Sequence, residues 1–108
     1  MAMKLNQGGK FTRRGVVIEI ANEKGTWEKN TLDVTFESAD TDELDELREL
    51  KAKELLQRKL KGVVGLLDDD GNAISYTEEH KPGLLAIPAA VVAIHRAFWE
   101  GVVRSPKA

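Results

Sequence analysis

The 108-residue chain contains no cysteine. This absence excludes disulfide staples, thiol nucleophiles and cysteine-held metals, and it agrees with a reducing compartment. Histidine is nearly as scarce. His80 and His95 are the only two, one fewer than a three-histidine catalytic zinc site requires. Neither has a sequence-local Ser or Asp partner of triad type, and Ser38, Ser75 and Ser105 stand outside any nucleophile-elbow context. Gly8-Gly9-Lys10 lacks the preceding strand and spaced glycines of a phosphate loop. Long apolar runs are missing as well. The longest, Leu84 to Ile94, is interrupted by Pro88 and falls short of the ~20 residues that span a bilayer. No apolar stretch accompanies Lys4 and Lys10 before the first strand, so no secretory signal is expected. The net charge of −2 gives nucleic acid little long-range attraction.

What is present fits one globular domain over residues 1–108. Charged residues make up 31% and hydrophobic ones 42%, and a chain of this size buries roughly two thirds of its unfolded surface. The expected class is α+β: an N-terminal antiparallel β-hairpin over about 11–37, then three to four α-helices within 40–104. The ends, 1–10 and 105–108, are expected to be flexible. In the hairpin, Val16, Ile18 and Ile20 alternate with Val17 and Glu19, and Leu32, Val34 and Phe36 alternate with Asp33, Thr35 and Glu37. Period-2 spacing places each apolar set on one face of a strand. Asn22-Glu23-Lys24-Gly25 supplies the turn, with Gly25 free to take positive φ. A two-stranded hairpin is marginal alone, so helices or another subunit must cover its apolar face.

Asp40 opens a helix as its cap, and Glu43 completes a capping-box-like pattern in an acidic first turn that suits the helix dipole. Lys51, Lys53, Arg58, Lys59 and Lys61 follow, interleaved with Glu49 and Glu54. They read as a solvated helix face rather than a phosphate-binding stripe. The apolar stripe changes side along this segment. Leu44, Leu47 and Leu50 share one side, whereas Leu55, Leu56, Leu60, Val63, Val64 and Leu67 cluster on the opposite one. Two arrangements fit: a break near Lys51–Lys53, or one continuous helix whose halves face different neighbours. The second would suit a helix shared between the domain and a partner subunit.

Gly62 and Gly65 end the helical signal, and Asp68-Asp69-Asp70-Gly71-Asn72 is a turn. Aligned as an EF-hand with its glycine at Gly71, this loop places Leu66 and Thr77 where the first and last ligands belong, so calcium is not expected. Ser75 or Thr77 can cap a short helical piece that Pro82 keeps short. Pro88 suits the first position of the last helix. There Val91, Val92, His95, Phe98, Trp99, Val102 and Val103 form a broad apolar face, opposite Arg96, Glu100 and Arg104. His95 on that face reads as a core histidine satisfied by a carbonyl or carboxylate. Phe98 and Trp99 point ~100° apart, so one can pack inside while the other reaches the rim. With Trp27 beside the hairpin turn, they are candidate interface anchors, and core packing is the expected role of at least one of them. Trp27, Leu55, Phe98, Trp99 and Val102 are therefore the candidate partner-binding residues. No catalytic, metal or cofactor site is expected.

The order of these segments resembles the tail assembly chaperones of long-tailed, siphophage-type bacteriophages and prophages. The resemblance runs from about Val16 to Trp99. It rests on Leu32-Asp33-Val34-Thr35-Phe36, Thr41-Asp42-Glu43-Leu44-Asp45-Glu46-Leu47, Val63-Val64-Gly65, the Asp-rich glycine turn, Ala73-Ile74-Ser75-Tyr76 and Leu84-Leu85-Ala86-Ile87-Pro88. Leu66 stands where members often carry an aromatic, and Glu37-Ser38-Ala39-Asp40 is more acidic than in relatives. The resemblance implies a non-catalytic protein of the bacterial host cytoplasm that binds the long helical tape measure protein. It would keep that protein soluble until tail-tube subunits polymerise around it, and would be absent from the mature virion. It also implies a longer form made by ribosomal frameshifting. Several copies along one target would gain avidity, so self-association is expected. Two alternatives stand beside this reading: another small phage morphogenesis protein of the neck or tail-completion type, and a nucleic-acid-binding regulator.

Overall fold

The computed structural model describes residues 9–102. The expectations placed on 1–8 and 103–108, including flexible ends and the packing of Val103, lie outside the described residues. Two long strands open the fold, β1 (Lys10–Ala21) and β2 (Trp27–Glu37), paired antiparallel from Lys10↔Glu37 to Ala21↔Trp27. The turn between them is organised by Asn22, whose Oδ1 accepts from the backbone N–H of Lys24 at 3.0 Å and of Thr26 at 3.1 Å. Gly25 takes φ +82° there, a region that L side chains rarely enter.

One feature of the pairing is not visible in simple alternation. Phe11 and Arg13 belong to the inner face, and so do Val16, Ile18 and Ile20, although their numbers differ in parity. A β-bulge between Arg13 and Val16 inserts the extra residue that resets the phase. Gly15 occupies the bulge at φ +69°, and its N–H donates to Asp33 Oδ1 at 3.0 Å.

Asp40 caps α1 (Thr41–Arg48) as expected, its Oδ1 accepting from Glu43 N at 2.8 Å. The chain then breaks. The N–H groups of Glu49 and Leu50 bond back to Glu46 O and Leu47 O, and Lys51 is extended at ψ 153° before α2 (Ala52–Lys59) begins. Of the two arrangements open to the sequence, the break is therefore the one formed. It lets Leu44 and Leu47 from α1 and Leu55 and Leu56 from α2 reach one core despite opposite phases.

The helical stripe does not continue through Leu60, Val63 and Val64. These residues form a third strand, β3 (Leu60–Val64), antiparallel to β2 with Val63 opposite Val34. The sheet order is β1-β2-β3. A bulge at Lys61, between the Thr35↔Gly62 and Phe36↔Leu60 pairs, lets Leu60 and Val63 both point inward although they are three residues apart, while Val64 is 69% exposed. β-Branched Val63 and Val64 favour the pleated surface, and pairing with β2 outweighs the helical pattern upstream.

Lys59, read from sequence as solvated, is 1% exposed. Its ammonium reaches Glu43 Oε2 at 2.8 Å, Glu37 Oε1 at 3.3 Å and the Ser38 carbonyl at 3.3 Å. Three donors meet three acceptors, as a buried charge requires. This cluster pins the end of β2, the first turn of α1 and the last turn of α2.

Gly65 leaves β3 at φ +117°, with space for no side chain: a Cβ would lie 2.9 Å from Thr31 O. The acidic turn then closes on itself. Asp68 Oδ1 accepts from the N–H groups of Asp70 and Asn72, both at 2.9 Å, and Gly71 sits at φ +84°. A short 3₁₀ turn (Glu78–His80) leads into α3 (Lys81–Leu85), and α4 (Pro88–Val102) begins at its proline. The two helical pieces are bent by 110°, and no single helix among the described residues is long and apolar enough to cross a membrane.

The helices cover one face of the sheet. Ile18, Leu32, Val34, Phe36, Leu55, Leu56, Leu60, Ile94 and Phe98 lie at the centre of the core between the two layers. The inward face of α4 differs from the expected one. It is Ala90, Ile94, Ala97 and Phe98, whereas Val92 is 57% exposed. Small residues decide this. Alanines and Gly101 let the helix lie close to β1, and Gly101 stands directly over the Phe11 ring, where a Cβ would clash.

Candidate partner-binding surface

The five residues singled out from sequence separate into three environments. Leu55 and Phe98 are fully buried at 0% exposure, so they are core residues and not contacts for a partner. The reason is the α1–α2 break for Leu55 and the rotation of α4 for Phe98. Phe98 forms an aromatic cluster with Phe11 and Phe36, with centroid distances of 5.9 and 5.4 Å. Edge-on contact with Phe36 matches the ring quadrupoles.

Trp99 and Val102 are half-buried at the margin of that core. Trp99 packs edge-on to Phe98 at 5.4 Å and carries the Arg48 guanidinium over its ring at 5.3 Å. Its indole N–H donates to His95 Nε2 at 3.1 Å, one helical turn back. Indole is a donor only, so His95 Nε2 must be the unprotonated nitrogen and Nδ1 carries the hydrogen. Burial holds the His95 pKa below the ordinary histidine value of 6.5, because desolvation disfavours the imidazolium. His95 is therefore a rim residue satisfied by an indole, where a carbonyl or carboxylate partner in the core was expected.

Trp27 alone of the five is open to solvent, at 66%. It pairs with Ala21 at the tip of the hairpin, on the face away from the helices. Two further exposed apolar residues share that face. Val17 lies opposite Thr31, and Val64 lies opposite Asp33, so the two valines flank β2 diagonally. Leu67, 61% exposed, follows just beyond Gly65. Sequence reasoning missed Val17 and Val64. Val17 did read as the outward member of an alternating strand, but Val64 was hidden by the mistaken helical period.

The outward sheet face is thus a three-stranded surface with scattered apolar side chains among Lys29, Thr31, Thr35 and Glu19. Its exposed side chains offer apolar and hydrogen-bonding contacts. Among the described residues no group of three or more His, Asp or Glu side chains gathers as metal ligands would. Tyr76 donates to Glu78 Oε2 at 3.3 Å, and burial followed by the Glu78 charge pushes its pKa up to about 12. Glu78 moves the other way, held low chiefly by its hydrogen bond from Lys81. Neither shift brings a group towards neutrality, where a general acid or base works best. No family model, curated protein or solved structure matches this chain.

Proposed function

We propose that this chain is a non-catalytic tail assembly chaperone of a long-tailed phage or prophage. It would bind the helical tape measure protein in the host cytoplasm and keep it soluble during tail assembly. The reading draws on the resemblance from Val16 to Trp99. The observation that carries the binding part is the bare outward sheet face, where Trp27, Val17 and Val64 stand exposed on a rigid scaffold. An amphipathic helix can lay its apolar side on such anchors, and repeated copies along one long target gain avidity.

The test is co-expression with the tape measure protein of the same phage or prophage. The partner should shift from the pellet to the soluble fraction and co-purify with this chain. Equal insolubility with and without the chain overturns the proposal. Presence of the chain in purified virions would instead mark it as a neck or tail-completion component.

A further inference from the structure

The β1 bulge and the flank of α4 face each other across a cleft of about 270 Å³. Arg13, Arg14 and Arg96 line it against a single carboxylate, Glu100. Three positive charges less one negative leave a local excess of two, on a chain whose net charge is −2. Arg13 is anchored: Nη1 donates to Ala97 O at 3.4 Å and Nη2 lies 3.7 Å from Glu100. Arg14 and Arg96 are exposed, and among the described residues neither pairs with a carboxylate. The bulge is what brings them together. Gly15, tied to Asp33, turns Arg14 towards the helix, so basic residues 82 positions apart in sequence line one cleft.

The remaining side chains, Val16, Val17, Ala93 and Ala97, add a small apolar patch beside the guanidiniums. A phosphate or other small anion would use the guanidiniums and gain nothing from that patch. An acidic peptide with an apolar side chain beside its carboxylates would use both. Guanidinium pairs with carboxylate in a two-pronged geometry, and burial of the neighbouring side chain adds the hydrophobic term. We propose that this cleft binds an acidic, partly apolar segment of a protein partner, with Arg14 and Arg96 gripping carboxylates and Val16 and Ala93 seating the apolar side chain. This goes beyond the chaperone reading and stands on the cleft alone.

The experiment titrates the full chain with a short fluorescent peptide of alternating Glu and Leu. Anisotropy follows binding, and amide NMR signals report the site. Saturable binding should move the signals of Gly15, Ala93 and Ala97. The double variant Arg14→Glu/Arg96→Glu should weaken it by about tenfold or more at low salt, through like-charge juxtaposition, with an unchanged melting curve because both side chains are exposed. Equal binding by native chain and variant, or none by the native chain, overturns the proposal. Displacement of the peptide by duplex DNA or inorganic phosphate at concentrations below the peptide's own assigns the cleft to phosphate and overturns it too. Movement of the same signals with protein concentration alone makes a second copy the occupant, and also overturns it. Failure of the tape-measure test leaves each of these outcomes readable.

Discussion

Glu43 Oε2 lies 2.8 Å from Lys59 Nζ, so the residue that completes the capping pattern of α1 in sequence serves a tertiary contact instead. Asp40 still caps the helix through Glu43 N–H. The Glu43 side chain turns to the buried ammonium, which it shares with Glu37 and the Ser38 carbonyl. A charge removed from water gains more from that carboxylate than an exposed cap would.

Replacing Lys59 with Met keeps the buried stem and removes the charge. Ser38 O loses its donor, and the two carboxylates lose their shared partner. Stability should fall by about 1–3 kcal/mol, the usual cost of an unsatisfied buried group, measured by urea denaturation. Glu43→Gln should cost less than about 1 kcal/mol, because its side chain is 37% exposed and water takes over. A Lys59→Met protein as stable as the native one would count against the cluster as a structural pin.

His95 makes stability depend on pH with a definite sign. Its pKa in the folded chain is below 6.5, so between that lower value and 6.5 the unfolded chain binds more protons, and stability rises with pH. The contribution is complete above 6.5 and fades as pH falls through the folded pKa. Protonation also removes the lone pair that accepts the Trp99 N–H. The melting temperature of the native chain should drop more steeply below pH 6.5 than that of His95→Gln. An imidazole titration midpoint at or above 6.5 by NMR would contradict this.

Gly101 and Gly62 should respond unequally to alanine. At Gly101 the new methyl meets the Phe11 ring, which is hemmed in by Phe36 at 5.3 Å and Phe98 at 5.9 Å. Overpacking there should cost about 1–3 kcal/mol. At Gly62 the added Cβ would sit 3.5 Å from Thr35 Cβ, an ordinary contact, so stability should change by no more than about 0.5 kcal/mol. Parallel denaturation curves check both.

The two tryptophans divide fold from binding. Trp27→Ala should leave the melting curve in place and weaken capture of the tape measure partner, since the ring is 66% exposed. Trp99→Ala should lower stability by about 2 kcal/mol, less than the roughly 3–5 of a fully buried ring. Pull-down and thermal melts on both variants decide. Full partner binding by Trp27→Ala would remove the outward sheet face as the docking surface.

Much of the fold is legible in the chain because its signals are local. Alternation marks β1 and β2, Asn22–Gly25 marks their turn, Asp40 marks the start of α1 and Pro88 the start of α4. Each depends on residues within a few positions of one another. Apart from His95, whose partner Trp99 is one helical turn away, the misreadings involve partners distant in sequence. Leu60–Val64 fits a helix by spacing and becomes a strand only because β2 offers it an edge. Leu55 and Phe98 seemed available to a partner because sequence shows how apolar a residue is, not which neighbour covers it.

Backbone preference and short-range hydrogen bonding act over one or two turns of chain, and they suffice for the α+β class, the hairpin, the starts of α1 and α4 and the acidic turn. Tertiary structure alone decided the third strand, the burial of Lys59, the inward face of α4 and the meeting of Arg14 with Arg96. Each of these depends on which distant surfaces pack together, and the Gly15 bulge and the small residues of α4 set how closely they can approach.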